Sequence, residues 1–178
     1  MKRAVISIVI ICMAAGLFMP LKAQDASPAQ FFYVVKKLLP DMSKLTIFMD
    51  PDNVEGLKGS INRAALQNHI TVKIFPVSSA IELGKHIRQL PEASVLIVLS
   101  SSVLTQKSSA VYVLKKCIEK NIAVVSSSQA YSDLGAFLSL IKGPEGMNVV
   151  VNMKQYADLK SKVTQENLQL AGVTQVIE

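Results

Sequence analysis

Residues 95–100 read VLIVLS, five apolar side chains and then a serine, with nothing polar in between. A strand with one solvated face alternates apolar and polar residues. An unbroken run reads instead as a strand covered on both faces, as in the centre of a parallel sheet. The pattern on either side agrees. LTIFM (45–49) and TVKIFPV (71–77) precede it as strands, and AVV (123–125) follows. Helical spacing is expected over 28–39, 54–68, 79–89, 106–120 and 129–140. Ser79 opens the third of these helices in a capping box with Glu82, and Pro91 follows its end. Strands alternating with helices at this spacing imply right-handed crossovers and a parallel sheet with helices on both sides. The tail departs from the alternation. LSLIKGPEGMNVVVNM (138–153) has two apolar stretches about Gly-Pro-Glu-Gly, a β-hairpin signal. Short helices are expected at 153–161 and 165–171, the second capped by Thr164. The predicted class is therefore α/β, a three-layer, mostly parallel sheet with a C-terminal hairpin strand and short terminal helices.

In such a sheet, ligands collect outside the carboxyl ends of the strands. Four of these ends are polar: DPDN (50–53), VSS (77–79) and two SSS triplets (100–102 and 126–128). The candidate ligand-contacting residues are Asp52, Asn53, Ser78, Ser101, Ser102, Ser127 and Ser128, with Tyr131 as an aromatic that could stack on a ligand from the rim. Serine and aspartate are also ordinary helix caps, and Asp52 or Asn53 is expected to cap a helix beginning near Val54. A rim of hydroxyls and helix N-termini without a fixed cation suits a small polar, zwitterionic or amino-acid-like ligand. Catalytic patterns are missing from the sequence. His69 and His86 have no companion at metal-ligand spacing, and there is no phosphate loop, nucleophile elbow or zinc helix. The expectation is a protein that is not an enzyme and holds no cofactor or metal.

The first residues bear on compartment. Lys2 and Arg3 precede an uncharged apolar run, 4–19, and Leu21 and Ala23 are placed like the residues before a signal-peptidase cut. The run is shorter than the about 18–20 residues that span a bilayer, so residues 1–23 read as a cleaved export signal and 24–178 as one α/β domain in the periplasm. Ile11 before Cys12 is unsuited to lipid attachment. Cleavage removes Lys2, Arg3 and Lys22, taking the basic count from 19 to 16 against 13 acidic residues; the charge falls from +6 to about +3. The remaining lysines form no run interleaved with aromatics, so nucleic acid is not an expected partner. Cys117, the cysteine left after cleavage, has the helical spacing of a half-buried apolar residue.

Residues 38–140 resemble the second lobe of the periplasmic substrate-binding proteins of ABC transporters, in the tryptophan/tyrosine-binding-like group. The resemblance rests on DPDN (50–53), PVSSAIELGKHIRQL (76–90), LIVLSSSVL (96–104) and NIAVVSSSQAYSDLGA (121–136), in that order. The closing segment, 151–178, is similar to the end of that family. It implies a Rossmann-like periplasmic-binding-protein lobe, a ligand at the rim and a transporter partner. The size and the segment GAFLSLIKGPEGMNVVVNM (135–153) also resemble YfiR-like periplasmic proteins, which implies the alternative: a protein-interaction module regulating an inner-membrane signalling protein. Two copies could rebuild a cleft from two single lobes, so a homodimer belongs to either expectation.

Overall fold

A computed structural model describes residues 26–99 and 101–178; the expected leader over 1–23, with Cys12, and Ser100 lie outside the described residues. The apolar run VLIVLS forms β3 (Val95–Val98), buried along its whole length. It lies between β1 (Lys44–Met49) and β4 (Ala123–Ser126), parallel to both. β2 (Thr71–Pro76) flanks β1 on the outside. Next to β4 come β5 (Leu138–Gly143), β6 (Gly146–Asn152) and β7 (Gln175–Ile177). The described strands form a seven-stranded sheet of order β2-β1-β3-β4-β5-β6-β7, in which β6 runs antiparallel to β5 and β7 parallel to β6.

The side-chain period of two along each strand divides the apolar residues between the sheet's faces. Ile47, Ile97 and Val125 enter one core, beneath helices α1 (Pro28–Leu38) and α2 (Pro51–Gln67). Phe48, Leu96, Val98 and Val124 enter the other, beneath α3 (Ala80–Arg88) and α4 (Lys107–Ile118). Short helices α5 (Gln129–Asp133), α6 (Ala157–Lys160) and α7 (Gln165–Leu170) complete the three-layer fold.

Several expected boundaries shift, each for a local reason. The second helix starts at Pro51 rather than near Val54, because Asp50 is the cap: its Oδ1 accepts from the Asp52 amide at 3.1 Å. Proline at the first helical position lacks the amide that would be unpaired there. The Ser79 hydroxyl does accept from the Glu82 amide (3.3 Å), but the glutamate returns to Ser78, at 2.8 Å from the amide and 2.6 Å from the hydroxyl. The helix expected over 129–140 stops at Asp133. Gly135 takes φ +97°, the Ala136 amide turns back to the Tyr131 carbonyl (2.9 Å), and the apolar residues from Leu138 join the sheet. β7 was not foreseen, since three residues carry too little pattern. Thr164 caps α7 as expected, accepting from the Asn167 amide at 3.2 Å. Cys117 is fully buried rather than half-buried, and burial pushes its thiol up to about 12, leaving it protonated at neutral pH.

Candidate functional site

The strand order places a topological switch between β1 and β3. From β1 the chain leaves through α2 to β2 on one side, and from β3 it leaves through α4 to β4 on the other. The two crossovers diverge, so the carboxyl ends of β1 and β3 face an opening that neither covers, the usual ligand position in open α/β sheets. A cleft of about 580 Å³ lies there.

Its walls come from four places. The first turns of α2 contribute Asp52, Asn53, Gly56, Leu57 and Ser60. The start of α1 contributes Ser27 and Pro28, and the ends of β3 and β4 contribute Leu99 and Ser127. Leu99 is seated by its amide, which donates to the Phe48 carbonyl of β1 at 2.9 Å. Asp52 and Asn53 are exposed, and Ser127 is half-buried. The cleft thus has apolar patches at Pro28, Leu57 and Leu99, and among the described residues its polar groups are a carboxylate, an amide and hydroxyls, with no basic side chain.

Of the eight residues expected at the rim, three meet in this cleft: Asp52, Asn53 and Ser127. The others sit elsewhere. Ser78 is exposed at the start of α3, holding Glu82; its hydroxyl and then its amide keep that carboxyl below its ordinary value of 4.5. Ser101 is buried in the turn after β3, where its Oγ accepts from the Leu104 amide (2.9 Å). Ser102 is exposed beside it. Ser128 caps α5 through its carbonyl, which accepts from the Ser132 amide at 3.2 Å, while its own amide donates to the Ser126 hydroxyl (3.2 Å).

Tyr131 is a correction. Its ring is fully buried, its hydroxyl donates to the Leu104 carbonyl at 3.0 Å, and burial raises that hydroxyl above its ordinary range. It ties α5 to the loop after β3 and presents no face to a ligand at the rim. The helix N-termini expected at the rim are engaged locally. Pro51 has none, Asp52 donates to the Asp50 side chain, Asn53 to the Asp50 carbonyl (3.1 Å), and Ser27 to Gln30 Oε1 (2.8 Å).

Sequence reading passed over Gly56, Leu57 and Ser60. They follow Asn53 at helical spacing, so one face of α2 was legible once the helix start was placed correctly. Among the described residues, a Cβ built on Gly56 meets nothing within 4 Å. Gly56→Ala should therefore stabilise the fold by about 0.5–1 kcal/mol, through the smaller backbone entropy lost in a helix interior. Urea unfolding of the variant beside the parent measures this.

At the opposite, amino end of the strands lies a second cleft of about 560 Å³, bounded by Asp41, Lys44, Glu92 and Asn121. Among the described residues no group of three or more His, Cys, Asp or Glu could hold a metal ion, and no helix is long and apolar enough to cross a membrane.

No family model matches the sequence, and no curated protein is similar to it. Solved structures are similar in fold. A conserved domain protein from Vibrio cholerae O1 biovar El Tor superposes with a TM-score of 0.71 at 14% identity, over 86% of this chain and 61% of its own. An ABC domain from Streptococcus pneumonia in complex with L-Trp gives 0.66 at 17%, over 86% and 61%. A substrate-binding protein with adhesive properties from Clostridium difficile, in its ligand-free open form, gives 0.63 at 14%, over 87% and 61%. The chain therefore spans about three-fifths of the length of each. It has the periplasmic-binding-protein-like fold, with a mostly parallel sheet between two helical layers.

Proposed function

We propose that this chain is an exported, non-enzymatic module that binds a small amino-acid-like ligand in the cleft between the carboxyl ends of β1 and β3. The observation that carries the reading is the convergence of Asp52, Asn53 and Ser127 on a cleft at the switch point. The fold shared with a substrate-binding protein and with a domain that holds L-Trp supports it.

The lining narrows the ligand. Asp52 supplies negative charge, and no described basic residue opposes it. The ligand's ammonium group accordingly lies against Asp52, and its polar acceptors against the Asn53 side-chain amide and the Ser127 hydroxyl, since the Ser27 and Ser60 hydroxyls already donate to Gln30 Oε1 (3.0 Å) and the Leu57 carbonyl (2.8 Å). Its apolar part lies along Pro28, Leu57 and Leu99.

The test is calorimetric titration of residues 24–178, which contain every described strand and helix, with the common amino acids, L-Trp included. At least one should bind. Asp52→Asn, at an exposed position, should weaken that ligand by roughly tenfold to a hundredfold, the usual loss for a charged hydrogen bond. Gly56→Phe should abolish binding by filling the cleft while the melting temperature holds. If every amino acid leaves the protein's heat signal flat, or both variants bind like the parent, the cleft is not an amino-acid site.

A further inference from the structure

The two helical layers differ in charge. Helices α3, α4 and α5 carry Lys85, Arg88, Lys107, Lys115 and Lys116 against two acidic residues, Glu82, which is engaged with Ser78, and Asp133, which accepts from the Gln129 side chain at 2.6 Å. Across the sheet, α1, α2, α6 and α7 carry five basic residues against four acidic ones. The positive potential is therefore concentrated on one side of the molecule.

Local contacts leave most of this charge available. Lys116 pairs with Glu119 at 2.6 Å. Lys120 is occupied differently: its ammonium donates to the carbonyls of Arg88 (3.2 Å) and Leu90 (3.1 Å), closing the end of α3 and joining it to the end of α4. Among the described residues, Lys85, Arg88, Lys107 and Lys115 make no ion pair, and all four are exposed.

Apolar side chains stand among these cations. Ile81 is 85% exposed, Val111 45% and Tyr112 36%. Leu83, Ile87, Val113 and Leu114 already supply the core beneath, so the exposed three are surplus to it. They fall on the outward faces at helical spacing, Ile81 with Lys85 and Arg88 on α3, and Val111 and Tyr112 with Lys115 on α4. Tyr112 reaches across to α3, since a Cβ at Gly84 would lie 3.6 Å from its hydroxyl. The result is a two-helix surface with apolar side chains between long basic stems.

We infer that the α3–α4 face docks on an anionic lipid surface, with Lys85, Arg88, Lys107 and Lys115 meeting headgroup phosphates and Ile81, Val111 and Tyr112 entering the interface. Charge complementarity selects an anionic partner. The intermixed aliphatic and tyrosine side chains select lipid, because such residues partition into the headgroup boundary while basic neighbours bind its phosphates. Docked on this face, the molecule keeps the α1–α2 layer directed away from the membrane.

Co-sedimentation of residues 24–178 with vesicles tests the inference, since this chain lacks the apolar run at 4–19. Vesicles containing about one-third phosphatidylglycerol should bind the protein and phosphatidylcholine vesicles should not; binding should disappear near 1 M salt, where the Debye length is about 3 Å. Charge reversal at Lys85, Arg88 and Lys115 together should lower partitioning about a hundredfold. Reversal at Lys37, Lys58 and Arg63 on the other layer should change it less than about threefold. Equal losses from the two triple variants would overturn the assignment of the face. Retention on immobilised polyglutamate with no binding to anionic vesicles would overturn lipid in favour of an acidic protein partner.

Discussion

Tyr131→Ala is expected to destabilise the protein by about 3–5 kcal/mol, the usual loss for a large buried aromatic cut back to alanine. The ring is fully buried among the apolar residues of α3, α4 and the sheet. The substitution removes both that packing and the bond to the Leu104 carbonyl. Tyr131→Phe separates the two effects. It keeps the ring and strands a buried acceptor, at a cost of about 1–3 kcal/mol. Urea unfolding followed by circular dichroism measures both, and the order alanine, phenylalanine, parent is the expected ranking. A tyrosine stacked on a ligand at the rim would behave differently, with affinity lost and stability unchanged on conversion to alanine.

A loss of similar size, about 3–5 kcal/mol, is expected for Phe137→Ala. Phe137 is 1% exposed where the parallel part of the sheet passes into the hairpin. Its carbonyl accepts from the Asn152 amide at 2.8 Å, and its ring meets Tyr156 edge-on, with centroids 5.4 Å apart and planes at 68°. Truncation leaves a void between β5 and the segment after β6. Tyr156 makes an opposite prediction. Its hydroxyl is buried and has no hydrogen-bond partner among the described residues, although it lies near backbone of Val124 and Phe137. Tyr156→Phe removes an unsatisfied polar atom and keeps the ring, so stability should hold or rise by up to about 1 kcal/mol. Thermal unfolding of the two variants together would show Phe137→Ala melting far below the parent and Tyr156→Phe at or above it.

The cleft and the basic face lie at different places on the molecule, the first at the strand ends and the second across the outer faces of α3 and α4. Neither set of variants shares a residue with the other. Loss of ligand in Gly56→Phe and loss of vesicle binding in the triple reversal can therefore be read independently.

The sequence by itself determined the layers. Apolar runs such as VLIVLS leave a strand only a site covered on both faces, and helical spacing between the strands requires crossovers that cover it. Elements whose signal is local were legible for the same reason: Thr164 as a cap, and Gly-Pro-Glu-Gly as a turn. Where a residue served two patterns, tertiary contacts decided. LSL (138–140) fitted both the end of a helix and the start of a hairpin, and pairing with β4 and β6 made it sheet. The candidate site divided in the same way. That polar strand ends would share one rim follows from parallel strands, and so could be read in advance. Which residues turn toward the same space could not. Ser101 is spent on Leu104, Ser78 on Glu82 and Tyr131 on a carbonyl 27 residues away. Asp52, Asn53 and Ser127 meet only because adjacent β1 and β3 send their crossovers in opposite directions. That relation comes from strand order, which pairs residues distant in the chain and leaves no local mark on the residues themselves.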